Sequence, residues 1–218
     1  MTTETRVDEP PLREIPDRPA PYAAVAVLAL LAASLLALAM APLALPDSYF
    51  WIEHGTSESG AQGIEGAWVA RLGFVLFGLA VIWLATLSAR RWRQPATALF
   101  LTFGVCMMAV AAFSIRPWEE DAPFDRTEDL LHSSGATVMG FAFALGVVAI
   151  VVRRRIDAQP LRVLDIAAIV AATLIPIGMS IWSEAYGVMQ RLMFLVAYAW
   201  YGREAVLAFR SAREPRGD

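Results

Sequence analysis

Residues 22–45 read YAAVAVLALLAASLLALAMAPLAL, without one charged side chain. A helix rises 1.5 Å per residue, so about 20 apolar residues cross the roughly 30 Å hydrocarbon core of a bilayer. This run is long enough, and five others follow it, at 67–89, 96–115, 132–152, 163–182 and 188–209. A soluble fold would have to bury all six in water-soluble form. The composition agrees: 57% of residues are hydrophobic, 18% are charged and the mean hydropathy is +0.51. A soluble domain carries about 25% charged residues. The expected fold is therefore all-α and integral to a membrane, a six-transmembrane-helix bundle over residues 21–209.

The remaining segments set the ends. Residues 1–20 are polar and proline-rich with little to bury, which predicts a disordered tail. They make a poor signal peptide, because the following apolar run exceeds the usual h-region. Residues 210–218 form a second polar tail. All 18 basic residues are arginine. With both termini in the cytoplasm, 14 of the 18 arginines fall on the cytoplasmic side. The positive-inside rule then selects an N-in/C-in chain, expected in the cell inner (plasma) membrane.

That orientation gathers the polar chemistry outside. The loop after the first run reads Tyr49-Phe-Trp-Ile-Glu-His54-Gly-Thr-Ser-Glu58-Ser-Gly60. The second outer loop carries Asp125, Glu128 and Asp129 and ends at His132, the only other histidine. If that approach is helical, residues 125, 129 and 132 share a face. Ser183 and Glu184 form the third connection, with Gln190 and Arg191 a turn into the last run and Arg71 just inside the second. Trp51, Trp68, Trp118 and Trp182 fall near the outer interface, as an aromatic belt.

Two chemistries suit these residues. Imidazole with carboxylate suits zinc and related divalent ions, and an open coordination position activates water. The metal ligands would be His54, His132 and Asp129, with Glu58 or Asp125 as general base. No HxxxH or HExxH spacing supports the set. Alternatively, Arg71, Glu184, Gln190 and Arg191 bind a ligand such as an anionic headgroup, while the histidines satisfy loop backbone. Gly55-Thr-Ser57-Glu-Ser59 misses the nucleophile-elbow pattern, and its strand-turn-helix context is absent.

Other features read as structural. Cys106 is single, which excludes an intramolecular disulfide and a multi-cysteine metal site. Ala136, Gly140 and Ala144 form a small-residue ladder, expected to let two helices approach closely. Pro176 interrupts the fifth run. Asp165 reads as an acid in a helix first turn. The spans lack acids at mid-membrane depth, which argues against a transporter.

Several short motifs carry a resemblance. They are Tyr49…His54…Ser57-Glu58-Ser59-Gly60-Ala61, Leu72-Gly73-Phe74, Leu131-His132-Ser133-Ser134-Gly135-Ala136 and Gly187-Val188-Met189-Gln190-Arg191. In this order among six spans they resemble the prokaryotic membrane family known as domain of unknown function 998, over about residues 20–209. That family is distantly similar to the Frag1/DRAM/Sfk1 membrane proteins. The resemblance implies a six-helix membrane protein with polar motifs at 54–60, 132 and 190–191, and implies no reaction. The expected function is binding of a lipid headgroup or a membrane-protein partner by an extracytoplasmic polar cap. The alternative is a metal-dependent intramembrane hydrolase acting on a lipid at the outer leaflet. Nucleic acid is not an expected partner.

Overall fold

Each apolar run becomes a helix, and the helix ends are set by hydrogen bonds rather than by hydropathy. The computed structural model describes residues 21–119 and 121–213, so the tails expected at 1–20 and 214–218 lie outside the described residues. The helices are α1 (Pro21–Met40), α2 (Trp68–Trp92), α3 (Ala96–Ala112), α4 (Arg126–Ile156), α5 (Val163–Ile181) and α6 (Tyr186–Arg213), with no strand among the described residues. Five are long and apolar enough to cross a membrane; α3 is shorter.

Several boundaries differ from the sequence expectation: α1 ends at Met40, α2 runs on to Trp92 and α4 to Ile156, and three others follow. The third helix stops at Ala112 rather than 115, and Phe113 is extended. The next backbone groups are claimed from outside: Glu128 Oε1 accepts from Ser114 N at 2.7 Å and Asp129 Oδ1 from Arg116 N at 2.9 Å. The fourth helix starts at Arg126, because the Asp125 carboxylate caps it by accepting from Thr127 N and Glu128 N. Such a cap contributes about 1 kcal/mol. The sixth helix runs on to Arg213, so residues 210–213 are helix rather than tail.

Consecutive helices pack as neighbours, and α6 returns to contact both α1 and α2. The bundle thus has a loop end, with segments 41–67, 113–125 and 182–185, and an arginine end. Trp200 and Tyr201 of α6 are fully buried. They meet Phe100 and Phe103 of α3 and Phe143 of α4 at ring-centroid distances of 4.9–6.0 Å. Phe77 of α2 stacks on Tyr198 at 4.2 Å. Lipid tails are as apolar as these rings, so the gain here is close packing and ring geometry rather than removal from water. Ser34 of α1 donates to Gly73 O at 2.6 Å and takes the Tyr198 hydroxyl proton at 2.5 Å, tying α6, α1 and α2 together.

The small-residue ladder on α4 does not do what its spacing suggests. The close helix approach is between α2 and α3, where a Cβ on Gly78 would press on Gly104 O. Gly140 has open space where a Cβ would stand, and with Ala136 and Ala144 it lines a cleft facing α5 of about 480 Å³. Gly140→Ala is therefore expected to stabilise the protein by about 0.5–1 kcal/mol, the helix gain of alanine over glycine. Detergent-micelle unfolding reads this; a loss of that size would mean that the backbones meet there after all.

Candidate functional site

The loop end is a cap of short turns held down by side chains from the helices. Residues 49–60 turn back on themselves: His54 N donates to Phe50 O at 2.7 Å, and a 3-10 turn spans Glu58–Gly60. Arg71 of α2 clasps the end of this loop, with Nε to Gly60 O at 3.0 Å and Nη2 to Ala61 O at 2.7 Å. Gln190 of α6 clasps its middle from below. Its Oε1 accepts from Ser57 N at 3.0 Å and its Nε2 donates to Ser57 Oγ at 3.2 Å.

Arg191 holds the first turn. Its Nη1 donates to Trp51 O at 2.7 Å, His54 O at 3.0 Å and Gly187 O at 3.0 Å, and its Nη2 to the Tyr49 hydroxyl at 2.6 Å. Tyr49 passes its own proton to Gly55 O at 2.8 Å. Burial pushes the Tyr49 pKa up against the pull of Arg191, so the phenol stays neutral. Every hydrogen-bond partner of Arg191 is thus uncharged. A guanidinium has five N–H donors. The Nε–H and the second Nη2 proton of Arg191 have no hydrogen-bond partner among the described residues. Arg71 and Arg191, two of the residues expected to bind a ligand such as an anionic headgroup, both donate to backbone carbonyls of the cap.

The second loop is joined to the first by Gln62, a residue that no sequence motif singles out. Its Nε2 donates to Ser114 O at 2.8 Å and Asp125 O at 3.1 Å, and its Oε1 accepts from Asp125 N at 2.7 Å. Glu58, an expected base, accepts from Gly55 N within its own loop. Asp125, the other expected base, is the cap of α4. Glu184 sits exposed in the turn Ser183–Ala185, with no described partner.

The expected metal ligands His54, His132 and Asp129 are not brought together. His54 Nδ1 accepts from Phe50 N at 2.9 Å, so its proton is on Nε2 and its one ligating lone pair is engaged. The ring stacks on Trp118 at 5.3 Å. Trp118 is therefore part of the cap, whereas Trp51, Trp68 and Trp182 are exposed as an interfacial belt requires. His132 is buried, and its Nδ1 faces Val110 O at 3.1 Å and Phe113 O at 2.8 Å. Carbonyls only accept, so Nδ1 carries the proton, and the buried Nε2 lone pair is left without a partner. Among the described residues no group of three or more His, Cys, Asp or Glu is placed to hold a metal ion.

A groove runs below Arg191, between α1 and α6. It encloses about 410 Å³, a volume typical of small-molecule sites. Leu35, Leu38 and Pro42 form one wall, Phe194, Leu195 and Tyr198 the other, and Trp51, Thr56 and Arg191 the head. Leu35 and Leu195 are exposed, so the groove faces the surroundings of the bundle. The Thr56 residue is 4% exposed, yet its hydroxyl has no hydrogen-bond partner.

These features define a helical membrane protein with a carbonyl-clasped polar cap and an apolar groove headed by a cation. The chain belongs to the family described as protein of unknown function DUF998, whose model matches residues 25–206. No curated protein matches the chain, and no solved structure does.

Proposed function

We propose that the protein binds an anionic lipid, with the headgroup at Arg191 and Thr56 and an acyl chain along the α1/α6 groove. One observation carries this reading: a guanidinium whose partners are all neutral heads an apolar groove beside a buried, unused hydroxyl. A cation near hydrocarbon is costly unless it is compensated. A phosphate oxygen supplies the missing charge and accepts from both Arg191 and Thr56. The arginine-rich end faces the cytoplasm by the positive-inside rule. The groove then opens to the outer leaflet of the plasma membrane.

Thr56→Val tests this cleanly, because it removes a hydroxyl that the fold does not use. We expect it to weaken retention of an anionic phospholipid by about ten-fold, the equivalent of about 1.4 kcal/mol, with an unchanged melting temperature. Native mass spectrometry of the full-length chain, supplied with phosphatidylglycerol or phosphatidylcholine, reads the retention. Equal retention by wild type and Thr56→Val, or no preference for the anionic lipid, would contradict the reading. Arg191→Gln is expected to lose the same lipid more completely and to loosen the cap as well.

A further inference from the structure

Helices α4, α5 and α6 are locked together at the arginine end and part toward the loop end. Asp165 of α5 is fully buried and accepts from Arg154 Nη1 of α4 and from Trp200 Nε1 of α6, the latter at 3.0 Å. Glu204 of α6 is 1% exposed and accepts from Arg91, Arg154 and Arg162. Beyond this lock α4 meets α5 with the small residues Ala136, Gly140 and Ala144, and the cleft of about 480 Å³ stays open between them. Gly140, Phe141, Thr173 and Pro176 on its rim are exposed, so it opens on the surroundings of the bundle. It continues inward as a narrower space of about 100 Å³; Ala136, Gly140, Ala172, Pro176, Gln190 and Met193 line both. None of the residues lining the cleft lines the α1/α6 groove.

No charged side chain lines either space. The polar groups that do are unevenly used. Thr137 and Thr173 donate to carbonyls of their own helices, Ser133 O and Ile169 O, both at 2.9 Å. At the loop end, the Tyr186 hydroxyl lines the cleft with no hydrogen-bond partner among the described residues. Gln190 is 7% exposed; one of its Nε2 protons goes to Ser57 Oγ, and the other has no described acceptor. The same lining holds an acceptor. Pro176 has no N–H, so the carbonyl of Ala172, four residues earlier, lacks its helix donor. No described side chain donates to it. A polar group left bare beside hydrocarbon is unfavourable, and here unused donors and an unused acceptor line one uncharged cleft.

We infer that the α4/α5 cleft binds an uncharged lipid whose head carries a free hydroxyl, the chemistry of a diacylglycerol or a long-chain alcohol. A hydroxyl both donates and accepts. It takes a proton from Tyr186 or Gln190 and gives its own to Ala172 O. A phosphate head finds no countercharge in this lining, whereas an uncharged head needs none. The apolar chain lies along Phe141, Ala144, Met179 and Met193, where the two methionines are flexible enough to follow it. The cleft volume is typical of small-molecule sites. The inference does not depend on the reading of the α1/α6 groove.

Native mass spectrometry of the full-length chain tests it. The probes are dioctanoylglycerol, its acetyl ester (which lacks the free hydroxyl), hexadecanol and dioctanoyl phosphatidylglycerol. We expect dioctanoylglycerol to be retained about ten-fold better than the acetyl ester. Gly140→Leu fills the cleft, since a Cβ on Gly140 meets nothing within 4 Å. It should abolish retention of dioctanoylglycerol, leave that of phosphatidylglycerol unchanged and not lower the melting temperature. Tyr186→Phe removes only an unbonded hydroxyl and should weaken retention of dioctanoylglycerol by about five-fold, the worth of one hydrogen bond. If Gly140→Leu folds poorly, Tyr186→Phe gives the reading. Retention of hexadecanol as well identifies a site for one chain and a hydroxyl; retention of dioctanoylglycerol alone identifies a diacyl ligand. No retention of either hydroxyl probe, equal retention of the acetyl ester, or unchanged retention in folded Gly140→Leu or, failing that, in Tyr186→Phe overturns the inference.

Discussion

Asp165→Ala is expected to destabilise the protein by about 3–5 kcal/mol, the usual cost of removing one partner from a buried ion pair. Asp165 is fully buried, and the facing Arg154 is 8% exposed. Loss of the carboxylate leaves Arg154 to share Glu204 with Arg91 and Arg162, and strands the buried indole N–H of Trp200. Asp165→Asn should cost less, because its side-chain oxygen can still accept from Trp200. Unfolding in mixed micelles by SDS titration, followed by far-UV circular dichroism, measures the difference. A change within about 0.5 kcal/mol, the range of ordinary surface substitutions, would mean that water replaces the pair.

Gly187→Ala should be nearly as damaging, by about 3 kcal/mol, the upper end of the usual range for overpacking. The first turn of α6 lies directly under the cap, and a single methyl at Gly187 would collide with the carbonyl oxygens of Trp51 and His54. These are the oxygens that Arg191 clasps, so neither can withdraw without breaking that clasp. Val188 N also donates to Ile52 O at 3.2 Å across the same contact. We expect faster proteolysis within residues 49–63 and weaker lipid retention together. Wild-type protease resistance in Gly187→Ala would show that the cap is not seated on α6.

What the sequence revealed and what it hid divide along physical lines. Runs such as 22–45 are dictated by bilayer thickness, so the helices and their order were legible. Their ends were less so, because Glu128 and Asp129 compete for the backbone after Ala112 from a different segment. The polar residues of the cap were visible in the sequence, but Gln190 and Arg191, read there as ligand-binding residues, also clasp the first loop. Their partners were not visible, since a guanidinium satisfied by carbonyls leaves no acidic counterpart in the sequence. Expected placement on one side of the membrane is also not proximity: His54 bonds within its own loop, whereas His132 faces the carbonyls of Val110 and Phe113. Glu204 was the visible omission. It lies with Arg203 inside an otherwise apolar run, and an ionisable residue in such a run is a site candidate by default. Asp165 does occupy a first turn as expected, but its role comes from Arg154 and Trp200, which only the packing of α4, α5 and α6 brings to it. The α1/α6 groove has no sequence signature, because it depends on the spacing of two helices that are far apart in the chain.

Photolabelling tests the lipid site most directly. The full-length chain would be reconstituted in phosphatidylcholine vesicles containing a phosphatidylglycerol with a diazirine in its acyl chain, irradiated and mapped by peptide mass spectrometry. We predict adducts concentrated in residues 35–42 and 191–198, with loss of that concentration in Thr56→Val and Arg191→Gln. Labelling spread evenly over the lipid-facing helices, or the same pattern from a phosphatidylcholine probe, would contradict an anionic-lipid site in this groove.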